Sequence, residues 1–134
     1  MSAVVDASLL VGALTSSGPE AQWCRSALDR SDIAAPEMAL AETTNLFRRM
    51  ELSGGITRLE STFAHSDLLG LSIDLYPFTP FAERVWQLRE NLTAYDAWYV
   101  ALAEALDWPL VTLDRRLSRS NGPRCEIIVP PADA

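Results

Sequence analysis

Two rhythms of apolar residues run along the chain. Short unbroken runs, Ala3-Val4-Val5, Ile33-Ala34-Ala35, Leu110-Val111 and Ile127-Ile128-Val129, are separated by longer stretches with apolar residues every three or four positions. The first rhythm predicts strands over 3–5, 32–35, 109–113 and 126–129, and a further one from Leu71 toward Phe78 that Pro77 cuts short. The second predicts helices. One begins at Leu9 with Ser8 as its cap, one covers 20–30 behind Pro19, and one is opened by Pro36 and runs through Met50 toward Gly54-Gly55. Another spans 56–69, with Ile56, Leu59, Phe63 and Leu69 among its apolar positions, and two more cover 81–91 and the stretch from Ala94. Strands alternating with helices imply an α/β fold: a central, mostly parallel sheet covered on both faces, in three α/β/α layers.

The length of 134 residues with 49% hydrophobic content fits one domain, expected over 1–130, with 131–134 as a short tail. No stretch reaches the ~20 apolar residues of a membrane span, and an acidic Asp6 stands where a secretion signal carries positive charge, so a cytoplasmic location is expected. Cys24 and Cys125 form no CxxC pair and are expected to be reduced thiols. The 11 basic residues are all arginine. Without lysine there is no phosphate loop of the Walker type and no Schiff base. One histidine, His65, excludes a multi-histidine zinc site within the chain and is expected to be structural or solvated. Neither a GxSxG elbow nor a GxGxxG turn is present. The chemistry left is that of carboxylates.

Four carboxylates draw attention through their placement. Asp6 and Asp114 directly follow apolar strands, "AVVD" and "LVTLD", at the sheet edge where ligands bind in open α/β folds. Asp96 lies in the first turn of the helix "TAYDAWYVALAEAL", and Glu42 lies among apolar residues in "PEMALAETTNLFRRM". Each has a purely structural account. Asp6 and Asp114 are turn formers, Glu42 has Arg49 and Asn45 within helical reach, and Asp96 with Thr93 fits a capping box. Gathered on one rim, however, they repel by around 4 kcal/mol per pair at 4 Å and an effective dielectric near 20, which calls for a cation. An all-oxygen ligand set of Asp6, Glu42, Asp96 and Asp114 favours Mg²⁺, with Mn²⁺ as substitute. Thr112 and Ser8 stand two residues from Asp114 and Asp6, within reach of a metal-bound water or a phosphate oxygen.

The series "VVDAS", "AETTNLFRR", "TAYDAWYVALAEAL" and "PLVTLDRRL" resembles the PIN-domain family, and within it the VapC toxins of bacterial toxin–antitoxin pairs. The resemblance runs the length of the chain. It implies a PIN-like fold and a Mg²⁺-dependent endoribonuclease whose catalytic and metal-binding acids fall on Asp6, Glu42, Asp96 and Asp114, with Thr112 as the hydroxyl of the T-x-D element. It also implies a homodimer and inhibition by a cognate VapB-type antitoxin.

A net charge of −7 disfavours broad affinity for nucleic acid. Local arginines, Arg115 and Arg116 beside Asp114 above all, are the candidate phosphate contacts, so recognition of a restricted RNA region is expected. Trp23, Phe47, Phe63, Trp86 and Trp98 are mainly core candidates, with Trp23 and Phe47 the two assigned to antitoxin contact. Two other readings fit the same acids: a related nuclease acting on DNA or structured ends, and a non-catalytic module binding a cation or an arginine-rich partner. A haloacid-dehalogenase-like phosphatase is disfavoured because Ser8 replaces its second aspartate and lysine is absent.

Overall fold

In the computed structural model, which describes residues 1–29 and 32–132, the apolar runs form the strands of one sheet. β1 (Ser2–Val5) leads to α1 (Ala7–Thr15) and α2 (Pro19–Leu28), and β2 (Asp32–Pro36) to α3 (Ala39–Leu52) and α4 (Arg58–Gly70). β3 (Asp74–Tyr76) is followed by a 3-10 turn (Thr79–Phe81), α5 (Ala82–Gln87) and α6 (Ala94–Leu106). Last come β4 (Leu110–Val111), the short α7 (Arg115–Ser118) and β5 (Ile127–Ile128). The strand order is β3-β2-β1-β4-β5 and every pairing is parallel. The chain winds outward from β1 to β3, then crosses back to lay β4 on the other side of β1. The winding therefore reverses between β1 and β4, where Val4 lies opposite Leu110 and Val5 opposite Val111.

Side chains alternate across the sheet with period two. Ala3, Val5, Ile33 and Val111 enter a core shared with Leu9, Leu10, Phe47 and Leu68 of α1, α3 and α4. Val4, Ala34 and Leu110 enter the opposite core, built on Val100, Leu102 and Ala103 of α6 and Val85 of α5. Helices thus cover both faces, as the alternation of elements predicts. α1 lies so close to its neighbours that a Cβ at Gly12 would stand 2.9 Å from both Cys24 Sγ and Leu113 Cδ1.

Several boundaries differ from expectation, each for a local reason. Asp6, not Ser8, is the N-cap of α1: its carboxylate accepts from Leu9 N at 3.1 Å. Pro36 closes β2 instead of opening a helix, and α3 starts at Ala39. The α4 pattern is out of phase with the expected one. Ser61, Ala64 and Leu68 are its buried positions, while Leu59 and Phe63 are 63% and 60% exposed. The strand expected from Leu71 is reduced to Asp74–Tyr76, and α7 is an element that apolar spacing does not announce. The end of α2 expected at Arg30, like Asp133 and Ala134 of the tail, lies outside the described residues. Among the described residues no helix is long and apolar enough to cross a membrane. Both cysteines are free thiols, each pushed up to about 11, first of all by burial.

Away from the sheet's C-terminal edge, Glu104 ties α6 to α5 and to the segment before β5. Its oxygens accept from Arg84 Nε at 2.7 Å and Nη2 at 3.1 Å and from Arg124 N at 2.7 Å, while Arg84 Nη2 also donates to Gly122 O. Burial alone would raise its pKa, but the Arg84 and Arg124 interactions outweigh it and hold Glu104 below its ordinary value. A depressed carboxylate stabilises the fold above its unfolded pKa and ceases to do so as pH falls through its folded one. Glu104→Gln should therefore lose about 1–2 kcal/mol at pH 7. Denaturant unfolding should show that difference closing below the ordinary carboxylate pKa of about 4.3.

Candidate active site

All four acids stand where helices begin. Asp6 caps α1, Asp114 caps α7, and Glu42 and Asp96 lie in the first turns of α3 and α6. The late start of α3 matters here, because it moves Glu42 from the helix interior expected from the sequence to its first turn. Helix N-termini carry partial positive charge, so each offers its acid some local support. The strands leading into α1 and α7 are β1 and β4, the pair between which the winding reverses.

Asp6 is the best-anchored acid. Its Oδ1 accepts from Ser8 Oγ at 2.7 Å and from Leu9 N, and its Oδ2 accepts from Thr112 Oγ1 at 2.5 Å. Thr112 is fully buried and its hydroxyl in turn accepts from Asp114 N at 3.0 Å; Ser8 Oγ accepts from Leu113 N at 3.1 Å. Both hydroxyl hydrogens are committed to Asp6, so the 3.3 Å approach of Ser8 Oγ to Thr112 Oγ1 is proximity and not a further bond. Ser8 and Thr112 thus stitch β1 to the segment after β4 and set the distance between Asp6 and Asp114.

Glu42 pairs neither with Arg49 nor with Asn45. Its Oε1 accepts from Tyr99 OH at 2.6 Å. Tyr99 is buried, and burial followed by the Glu42 hydrogen bond pushes its hydroxyl well above the usual tyrosine range, so it remains a donor. Tyr99 was not among the residues the sequence singled out. The signal was present: it stands three positions after Asp96, on the same helical face.

Asp96 differs from the others. Thr93 caps α6 by accepting from Asp96 N at 3.2 Å, but the reciprocal bond of a capping box is not made. α4 shows the complete version in the same molecule, with Glu60 N donating to Thr57 Oγ1 and Thr57 N to Glu60 Oε1. Among the described residues, the Asp96 carboxylate accepts no hydrogen bond. Its pKa is raised, first by burial and then by the charge of Asp114, against a smaller lowering by Arg116. Asp96 in turn helps to raise Asp6 and Glu42, for which burial is the first cause and hydrogen bonds oppose it. Asp114 is the exception. Burial would raise it, but Arg116 holds it below its ordinary value.

Electrostatic coupling therefore joins all four acids, with Asp96 at the centre. They do not, however, form a tight ligand cage: among the described residues no three His, Cys, Asp or Glu side chains are gathered closely enough to hold a metal ion. Mg²⁺ does not require such a cage, since it keeps several waters and takes only one or two protein carboxylates directly. The all-oxygen donors and the half-buried Asp96 carboxylate, which accepts no hydrogen bond among the described residues, fit such an ion. Asp96, Asp114 and Arg116 line a cleft of about 240 Å³ together with Asn91, Thr93 and Ser120. A larger cavity of about 470 Å³ lies elsewhere, around Trp108 and Cys125, where Glu104 already has its partners.

The other sequence candidates separate from this rim. His65 lies on α4 beside Thr44 and Arg48. Phe47, expected as a partner contact, is 2% exposed and belongs to the core; Trp23 is half-buried and packs against the same core. Phe63 and Trp86, expected mainly inside, are exposed.

Comparison with known proteins adds to this geometry. The PIN domain family model matches residues 3–122. The chain is 44% identical over 125 residues to Ribonuclease VapC1 of Mycobacterium tuberculosis, covering 92% of this chain and 94% of that protein. The fold is similar to that of VapC20 from the same organism, a sarcin–ricin-loop-cleaving toxin, with TM-score 0.70 and 14% identity over 96% of this chain and 99% of that one. It is also similar to VapBC-5, a member of the VapBC family of toxin–antitoxin systems from M. tuberculosis, with TM-score 0.61 and 21% identity over 96% and 98% of the two chains.

Proposed function

The chain belongs to the PIN-domain family, and on that premise we propose that it is a VapC-type ribonuclease toxin that cuts RNA phosphodiesters at the rim formed by Asp6, Glu42, Asp96 and Asp114. The observation that carries the site is Asp96: a half-buried carboxylate, coupled to three others, that accepts no hydrogen bond among the described residues where a capping box was available. Mg²⁺, when bound, supplies an activated water and screens the charge that develops on the phosphoryl oxygens.

The chain's own residues divide the remaining work. Asp6 is oriented by Thr112, Ser8 and the Leu9 amide, which use three of its roughly four acceptor positions and leave one on Oδ2. Glu42 is held by Tyr99 through one oxygen, which leaves the other to accept a proton or orient a water. Asp96 supplies the least committed negative charge. Arg115 and Arg116, exposed beside Asp114, are the proposed contacts to RNA phosphates. A cleft of this size beside so acidic a rim suits a short or looped RNA segment, in keeping with the chain's net charge of −7.

We also propose control by a VapB-type antitoxin, supported by the likeness to toxin–antitoxin proteins, together with assembly as a homodimer and action in the cytoplasm. Leu59 and Phe63, four residues apart on α4, offer such a partner an apolar surface in place of the buried Phe47. The test is cleavage of a mixed cellular RNA pool, and of single-stranded DNA, by purified protein with Mg²⁺ or with EDTA. RNA cuts at few sites that need Mg²⁺ are expected. Preferential cutting of DNA would replace the reading with that of a DNA nuclease, and metal-independent RNA cutting would overturn the site.

A further inference from the structure

We propose that Arg116 is a built-in counter-ion of the acidic rim, one that holds Asp114 in the metal-free protein and competes there with the divalent cation. The inference rests on the metal-site reading above. Asp114 and Arg116 are two residues apart at the start of α7, close enough for main chain and side chain of one residue to grip both oxygens of the other. Asp114 Oδ1 accepts from Arg116 N at 3.0 Å and from Nε at 3.3 Å, and Oδ2 accepts from Nη2 at 3.2 Å. A carboxylate held in that fork cannot present the same lone pairs to a hard cation.

The neighbouring arginines show that this is a choice of direction. Arg115 Nη2 donates to Pro131 O at 3.4 Å and Arg119 Nε to Arg115 O at 3.3 Å, both onto main-chain carbonyls. Among the described residues, Arg116 is the arginine whose guanidinium pairs with one of the four acids. It also lines the cleft with Asp96, and its charge opposes the raising of the Asp96 pKa by Asp114. It therefore supplies the acidic rim with the positive charge that the cation would otherwise bring.

The pair is also built to release. The Arg116 side chain is 86% exposed, and its only hydrogen-bond acceptor among the described residues is Asp114. Arg84, by contrast, is fixed by Glu104 and Gly122 together. Exposed ion pairs are screened and weak, so exchange of the guanidinium for a divalent ion meets little resistance. Once off Asp114, the guanidinium stays within one side chain's length of the cleft, with a planar fork matched to two phosphate oxygens.

Mn²⁺ binding to the full chain, followed by electron paramagnetic resonance or calorimetry, tests this directly. Arg116→Ala and Arg116→Gln should each bind Mn²⁺ about two- to five-fold more tightly than wild type at low salt, with Arg116→Lys between. The difference should shrink near ~0.5 M salt as screening increases. The same Ala and Gln variants should bind a non-cleavable RNA oligonucleotide more weakly than wild type in the presence of Mn²⁺. Equal or weaker Mn²⁺ affinity in folded Arg116→Ala or Arg116→Gln overturns the inference and leaves the metal site standing; no Mn²⁺ binding by wild type or variants overturns both.

Discussion

Replacing Asp96 by Asn is expected to lower RNA cleavage by about 10²–10³-fold while making the metal-free protein more stable. The two effects have one origin. Asp96 is the acid whose charge is least answered: half-buried, raised by burial and by Asp114, and without a hydrogen bond to its carboxylate among the described residues. A carboxyl group whose pKa is raised by folding costs stability at neutral pH, because the folded state disfavours the ionised form. Asn removes that penalty and leaves the cap of α6 intact, since Thr93 accepts from the Asp96 backbone amide and not from its side chain. The lost interaction of the charge with the helix N-terminus works in the other direction and makes the gain smaller. A rise in Tm on the order of 2–4 °C without metal is expected for the variant.

The second half of the experiment is Mg²⁺ added to both proteins. Wild type should gain stability with rising Mg²⁺, as any ligand confined to the folded state requires, and Asp96→Asn should gain much less. Loss of cleavage with unchanged metal-free stability would mean that Asp96 is neutralised by a partner of its own. Loss of stability in the variant would assign Asp96 to the capping role that its sequence context offered. A binding module without catalysis would keep the stability pattern yet show no cleavage in wild type.

The site was legible in the sequence to the extent that strand ends announce it. Asp6 and Asp114 each terminate an apolar run, and a parallel sheet whose winding reverses brings such ends to one edge. The partners of the acids were harder to read. Pro36 looked like a helix opener because proline is favoured at first helical positions, but here it pairs as the last residue of β2, and that shift moves Glu42 by a turn. Glu42 then faces Tyr99, 57 positions away, a contact that no local spacing encodes. α4 misled for another reason. Leu59, Phe63 and Leu69 point outward while Leu68 packs inward with the small Ser61 and Ala64, so most of its large apolar side chains marked the wrong face. Serine favours the cap position, but the carboxylate two residues before Ser8 takes it instead.

Thr112 joins fold and site most tightly, and Thr112→Val is the substitution that should expose this. Valine matches threonine in shape and fits the fully buried position, so the change isolates the hydroxyl. Removing it deprives Asp6 Oδ2 of its donor and Asp114 N of its acceptor. Each buried polar group left unpaired costs about 1–3 kcal/mol, and since the two share one network a combined loss of about 2–4 kcal/mol is expected in denaturant unfolding. Thr112→Ser keeps both hydrogen bonds and loses one methyl, so it should cost only about 1 kcal/mol. The same pair separates orientation from packing at the site. Without the Thr112 bond, which holds the Asp6 pKa down against burial, the Asp6 carboxylate is both less favourably ionised and free to turn. Mn²⁺ affinity should fall about 10–100-fold in Thr112→Val and stay near wild type in Thr112→Ser. If Thr112→Val is as stable and binds Mn²⁺ as well as wild type, the hydroxyl does not set the Asp6–Asp114 geometry. If Thr112→Ser is damaged equally, packing of the methyl is what the position requires.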